Sequence, residues 1–173
     1  MDIRNFAMNY GAVLGFFLSS IAVVMWIFGF DERESIIPGL LNNGLTIGFI
    51  SYAIIKYRDI NNNGFISYSS SLKLGTSVAF FSSIILAFYS VIYVLYINPQ
   101  ALADLIVLTE QTMLEAKPDI SEEELDLSLQ MVSKMMKPHW MMIMGMLSGT
   151  LMGFLYSLVI SIFTKRDDPN LIA

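Results

Sequence analysis

The stretch WMMIMGMLSGTLMGFLYSLVISIFT, from Trp140 to Thr164, contains no Asp, Glu, Lys, Arg or His. About 20 mainly apolar residues suffice to cross the hydrocarbon core of a bilayer as a helix. This stretch is therefore read as a membrane-spanning helix. Within it Gly145, Gly149, Gly153, Ser157 and Ser161 recur at every fourth position, which puts small residues along one helical face.

Three further runs of this kind lie upstream, at about 10–30, 36–55 and 74–97. The second is the least apolar, because Asn42 and Asn43 fall inside it. The first is too long for a signal-peptide core, and Asp31-Glu32-Arg33-Glu34 follows it rather than a small-residue cleavage site. It is expected to be a retained helix. The sequence thus predicts an all-α integral membrane protein, a four-helix transmembrane bundle occupying residues 1–173 as one membrane domain.

Composition agrees with this reading. Of 173 residues 55% are apolar and 14% charged, against about 25% charged in an average soluble domain. There are no cysteines, so disulfides and thiolate-bound metals are excluded. The net charge of −5 resides in one place. Between Asn98 and Lys137 eight acids face three bases, and the rest of the chain is balanced. No basic patch suggests nucleic acid.

That acidic segment, about 98–137, is expected to be an amphipathic helical hairpin between the third and fourth spans. Asn98-Pro99 is a start signal, with Asn98 as cap and Pro99 at the first helical position. The first helix should end near Ala116, before Pro118. Ser121 and Glu124 form a capping box for the second, which Pro138 should end or kink after Lys137. On that second helix Leu125, Leu129, Val132 and Met136 share one face, a candidate surface for a partner.

Orientation follows the bases near the helix ends. Arg4, Lys56, Arg58, Lys73, Lys165 and Arg166 fall on one side of four alternating spans, which puts both termini and the Lys56–Lys73 loop in the cytoplasm. The Asp31–Glu34 loop and the hairpin then face outward. Trp26 and Trp140 mark outer helix ends, where indole rings favour the headgroup region. Lys56, Arg58 and Lys73 are expected to contact lipid headgroups, with the Ser69–Ser71 run capping the third helix.

Apolar side chains alone do not bring helices together in lipid, whereas small residues that admit close backbone approach do. Each span carries such residues four apart: Gly11 and Gly15; Gly44 and Gly48; Gly75 and Ala79; Gly145, Gly149 and Gly153. They are expected to pack the helices into a compact bundle; the alternative is that the fourth span also makes a dimer or partner contact.

The elements Lys56-Tyr57-Arg58-Asp59, Gly64-Phe65-Ile66-Ser67-Tyr68 and Leu72-Lys73-Leu74-Gly75 stand in order across the loop between the second and third spans. With the Met-rich run from Lys134 to Pro138, they resemble the domain-of-unknown-function 4199 family of Bacteroidota membrane proteins. That resemblance implies a location in the bacterial inner membrane and implies no activity.

No catalytic constellation stands out, and no cofactor or metal is expected. His139 lies among Met131, Met135, Met136, Met141, Met142, Met144 and Met146, a soft set suited to Cu(I), but methionines more simply supply adaptable apolar cover. The cores of the spans lack the ionisable residues of proton relays. The reading is a non-enzymatic accessory or scaffold subunit of an inner-membrane or envelope complex, with lipids and a protein as partners. The alternative is a small transporter or lipid-handling protein, with Asn42, Asn43 and the outer tyrosines Tyr89, Tyr93 and Tyr96 along its path.

Overall fold

The computed structural model describes residues 2–29 and 36–166. The Asp31–Glu34 loop lies outside the described residues. Six helices follow in order: α1 Ile3–Ile27, α2 Ile37–Asn61, α3 Tyr68–Ile92, α4 Gln100–Ala116, α5 Glu122–Met135 and α6 Pro138–Thr164. A π-helical turn, Tyr93–Ile97, continues α3. The described residues are all-α, apart from one isolated bridge between Ile66 and Arg166.

Three helical segments are long and apolar enough to cross a membrane: Ile3–Ile27, Tyr68–Ile97 and Pro138–Thr164. The helix α2 is as long as α1 but carries Asn42, Asn43, Thr46 and three glycines, which lower its apolar character. Several helix boundaries differ from the hydropathy reading. The first helix begins at Ile3, not Tyr10, because Phe6 and Ala7 are buried and hold the polar first turns in place. The third begins at Tyr68 because Ser67, not the Ser69–Ser71 run, caps it: the Ser67 hydroxyl accepts from the Ser70 N–H at 3.2 Å.

The chain divides into two compact units, one of residues 1–86 with 145–173, the other of Ala87–Met144. In the first, α3 is flanked by α1 and α6 at backbone distance. A Cβ placed on Gly11 would stand 2.6 Å from both the Phe81 Cβ and the Val78 carbonyl oxygen, and one on Gly15 2.8 Å from the Ile85 Cβ. On the α6 side three small residues of α3 meet three of α6 in antiparallel order. Gly75 lies on Ser157, Ala79 on Gly153, and Ser83 on Gly149. Each step of four residues up one helix is matched by a step of four down the other. This lets two backbones touch without a large side chain between them, the packing lipid favours. The seam is closed at one end by Ser71, whose hydroxyl lies 2.9 Å from that of Thr164. The Thr164 proton goes to the Ile160 carbonyl, so Ser71 is the donor.

Gly44 and Gly48 do not share this role. Both are exposed, and nothing stands within 4 Å of where their Cβ atoms would be. Close packing of α2 rests instead on Ile50, Ala53 and Ile54, all fully buried, with the Ile50 Cγ2 3.1 Å from the Cβ position of Gly75. Gly145 is half-buried on α6.

In the second unit α4 packs along α5. Ser121 caps α5 as its sequence predicts, its hydroxyl accepting from the Glu124 N–H at 3.2 Å. The Glu124 carboxylate turns to Lys117, 2.8 Å away. Two start and stop signals act differently than expected. The Asn98 side chain donates to the Tyr93 hydroxyl at 3.3 Å and makes no cap bond to α4, so Pro99 itself precedes the first helical residue. Pro138 opens α6 rather than ending α5, which stops at Met135; proline has no N–H to lose in a first turn.

Candidate functional site

The loop that carries the family-like elements is built around α6. At the end of α2, Asn63 and Gly64 take positive φ values of 52° and 85°, a conformation that Asn and Gly tolerate best. The Gly64 N–H reaches back to the Arg58 carbonyl at 2.9 Å, and the Asn62 amide donates to the Phe65 carbonyl at 2.6 Å. The turn delivers Ile66, buried, to Arg166, and the two exchange backbone hydrogen bonds of 2.8 and 2.9 Å.

Arg58 completes this clasp. Its Nη1 donates to the Thr164 carbonyl at 3.1 Å and its Nε to Asp59 at 2.7 Å, leaving the side chain 11% exposed. The last carbonyls of a helix have no partner within it, and a cation there also suits the helix dipole. Arg58 supplies both. Three of the guanidinium donors thus go to the protein, whereas Lys73 is exposed on α3. The Arg58 hydrogen bond holds the Asp59 carboxyl below its ordinary pKa, against a smaller opposing effect of desolvation.

Beside the clasp, five aromatic residues of α1 and α2 form a cluster. Phe6 stacks on Tyr10 at 4.2 Å and meets Tyr57 edge-on at 5.1 Å, while Phe49 and Tyr52 lie 6.1 and 6.3 Å from Tyr10. The Lys56 ammonium stands over the Tyr10 and Tyr52 rings, at 5.6 and 5.4 Å from their centres, and donates to the Tyr52 hydroxyl at 3.1 Å. Sequence reasoning named Lys56 without its aromatic setting, although the i, i+4 spacings Phe6–Tyr10 and Tyr52–Lys56 place each pair on one helical face.

Of the residues suggested for a transport path, Asn42 and Asn43 are exposed on α2, and the Asn43 side-chain Oδ1 accepts from the Tyr156 hydroxyl of α6 at 2.8 Å. In the second unit the Tyr89 and Tyr93 rings lie 6.0 Å apart, and Tyr96 is exposed. His139 sits on the first turn of α6 with its ring 5.8 Å from that of Trp140. Among the described residues no three His, Asp or Glu side chains gather where they could hold a metal ion.

The proposed partner face of α5 is half-buried at all four positions, Leu125, Leu129, Val132 and Met136. A different set on the same helix is open: Leu127 is 59% exposed, Met131 60% and Met135 53%. On α4 Leu105, Val107, Leu108 and Leu114 are also exposed, and a shallow apolar hollow lies along Leu108, Thr109, Thr112, Met113 and Ala116.

A family model described as protein of unknown function (DUF4199) matches residues 9–166. The chain belongs to that family. The match takes in the clasp, the aromatic cluster from Tyr10 onward and the α3–α6 seam. No curated protein and no solved structure matches the chain.

Proposed function

We propose that this family member is a non-enzymatic accessory protein of the bacterial inner membrane, anchored by a four-span bundle of α1, α2, α3 and α6, with α4 and α5 as an extracytoplasmic amphipathic hairpin that holds an envelope protein. The observation that carries the reading is the second apolar set on α5. Once Leu125, Leu129, Val132 and Met136 are half-covered, Leu127, Met131 and Met135 still stand open, one turn apart along the helix. An exposed apolar stripe among acidic residues suits a partner surface.

The inclusion of α2 as a span is supported by its length, roughly 37 Å for 25 residues. Three of its polar side chains also have partners within the protein, which suits a lipid environment. Thr46 donates to the Asn42 carbonyl, Ser51 to the Ile47 carbonyl, and Asn43 accepts from Tyr156.

Two experiments test the proposal. Because the chain has no cysteine, K73C and K117C can each be labelled with a membrane-impermeant maleimide in intact spheroplasts; K117C should react and K73C should not until the membrane is opened. The L127D/M131D variant should lose a chemical cross-link to its envelope partner, while L125A keeps it. A cross-link that survives L127D/M131D undiminished would remove the partner surface.

A further inference from the structure

We propose that Lys56, with the hydroxyls of Tyr10 and Tyr52, binds the phosphate of an anionic phospholipid headgroup. The proposal rests on the reading above that α1 and α2 cross the bilayer.

Among the described residues no carboxylate pairs with the Lys56 ammonium. Its described contacts are the Tyr52 hydroxyl and the faces of two tyrosine rings. The ammonium has three N–H donors, and one goes to Tyr52. The two rings and Phe49 fix its direction, since the cluster is interlocked at ring separations of 4.2 to 6.3 Å. A cation held in place by aromatic faces keeps its charge, and among the described residues it has no carboxylate beside it.

The depth of the cluster selects the anion. Helix α1 is 25 residues long, roughly 37 Å against a hydrocarbon core of about 30 Å. Phe6 and Tyr10 fall in its first two turns, and Lys56 lies five residues before the end of α2 at Asn61. Tyrosine rings are enriched at that level of a bilayer, and lysine stems extend from it to the headgroups. The anion available there is a lipid phosphate. Its oxygens can accept from the remaining Lys56 donors and from the tyrosine hydroxyls, which donate to acceptors as readily as they accept. The neighbouring Arg58 does not compete, because its guanidinium serves Asp59 and the Thr164 carbonyl.

The test is native mass spectrometry of the full chain released from micelles containing equal phosphatidylglycerol and phosphatidylcholine. The wild-type protein should retain phosphatidylglycerol preferentially. K56Q should reduce that preference about fivefold, the effect of one basic residue near an anionic surface, and Y52F should reduce it by less. K56R should preserve it, and K165Q, at an exposed position outside the cluster, should leave it intact. Equal retention by K56Q and wild type overturns the proposal, as does an equal loss in K165Q. Displacement of the lipid by low-millimolar inorganic phosphate would assign the site to free phosphate and overturn the lipid assignment. Separately, cell membranes that carry the protein are washed with alkaline carbonate before extraction. Protein that resists the wash but shows no anionic preference overturns the site alone, whereas protein released by the wash overturns the membrane-spanning reading as well.

Discussion

Gly153→Ala adds one methyl group at the tightest point of the α3–α6 seam. The new Cβ would overlap the Ala79 Cβ, far inside the 3.0 Å that real Cβ atoms essentially never breach. Carbon atoms settle at about 3.5–4.0 Å, so the helices must part by an ångström or more. Ala79 has no rotamer through which it could yield. The same displacement opens the Gly75–Ser157 and Gly149–Ser83 contacts on either side, and a gap of 0.5–1 Å forfeits roughly a quarter to a half of each dispersion well. Overpacking of this kind costs about 1–3 kcal/mol. Three linked contacts place G153A toward the upper end, at about 2–3 kcal/mol, or roughly 30- to 150-fold in the folding equilibrium. The matched control is Gly48→Ala, whose added methyl meets nothing within 4 Å. It relieves the conformational freedom of glycine in a helix, which is worth about 0.5–1 kcal/mol, so it should leave stability unchanged or slightly raised. Both variants are read by reversible unfolding in mixed micelles titrated with sodium dodecyl sulfate, following helical circular dichroism. The reasoning fails if G153A unfolds at the wild-type detergent fraction, or if G48A loses as much as G153A does.

Two further tests address the clasp and the α4–α5 pair. Arg58→Gln removes a charged donor from the Thr164 carbonyl and should cost about 1.5–3 kcal/mol, with faster amide exchange at the C-terminal end of α6. The depressed pKa of Asp59 gives the clasp a pH dependence: its contribution is present above the ordinary aspartate pKa and lost as pH falls through the lower folded value, so the acid-side loss should be absent in D59N and present in wild type. In the second unit, Ser121→Ala should destabilise α5 by about 1 kcal/mol, whereas Lys117→Met should change it by less than about 1 kcal/mol, since the Lys117–Glu124 pair is more than half exposed on both sides; hydrogen exchange over residues 122–135 compares the two.

The parts of this fold that were legible in the sequence are those fixed by local chemistry. The small residues four apart on α3 and α6, the Ser121 cap and the stop at Ala116 all follow from spacing or from the needs of helix ends. What spacing cannot supply is the identity of the neighbour. Gly44 and Gly48 have the same separation as Gly149 and Gly153, yet they line an open face. A repeat determines which residues share a side of a helix, not whether another helix lies there. The clasp was hidden for a related reason. Arg58 finds a main-chain carbonyl 106 residues away, and every residue carries such a group, so no side-chain motif marks Thr164 as the acceptor. The early start of α1 was masked by Asp2, Arg4, Asn5 and Asn9, which lower local hydropathy while Phe6 and Ala7 between them are buried. On α5 the spacing of Leu125, Leu129, Val132 and Met136 marks a shared face, but it does not show that this face is half-buried while Leu127, Met131 and Met135 stand open.

The seam between α3 and α6 also sets an order of events during synthesis. The chain is made from its N-terminus, so α1, α2 and α3 exist before any of α6 does. About seventy residues separate the end of α3 at Ile92 from the end of α6 at Thr164, roughly 4–14 s at ordinary rates of translation. Throughout that interval the side of α3 formed by Gly75, Ala79 and Ser83 has no α6 to meet. It is a nearly smooth groove with backbone polar groups close to its surface, open to any other helix being inserted nearby. The contacts of Gly75, Ala79 and Ser83 with Ser157, Gly153 and Gly149 are therefore among the last that the growing chain can make.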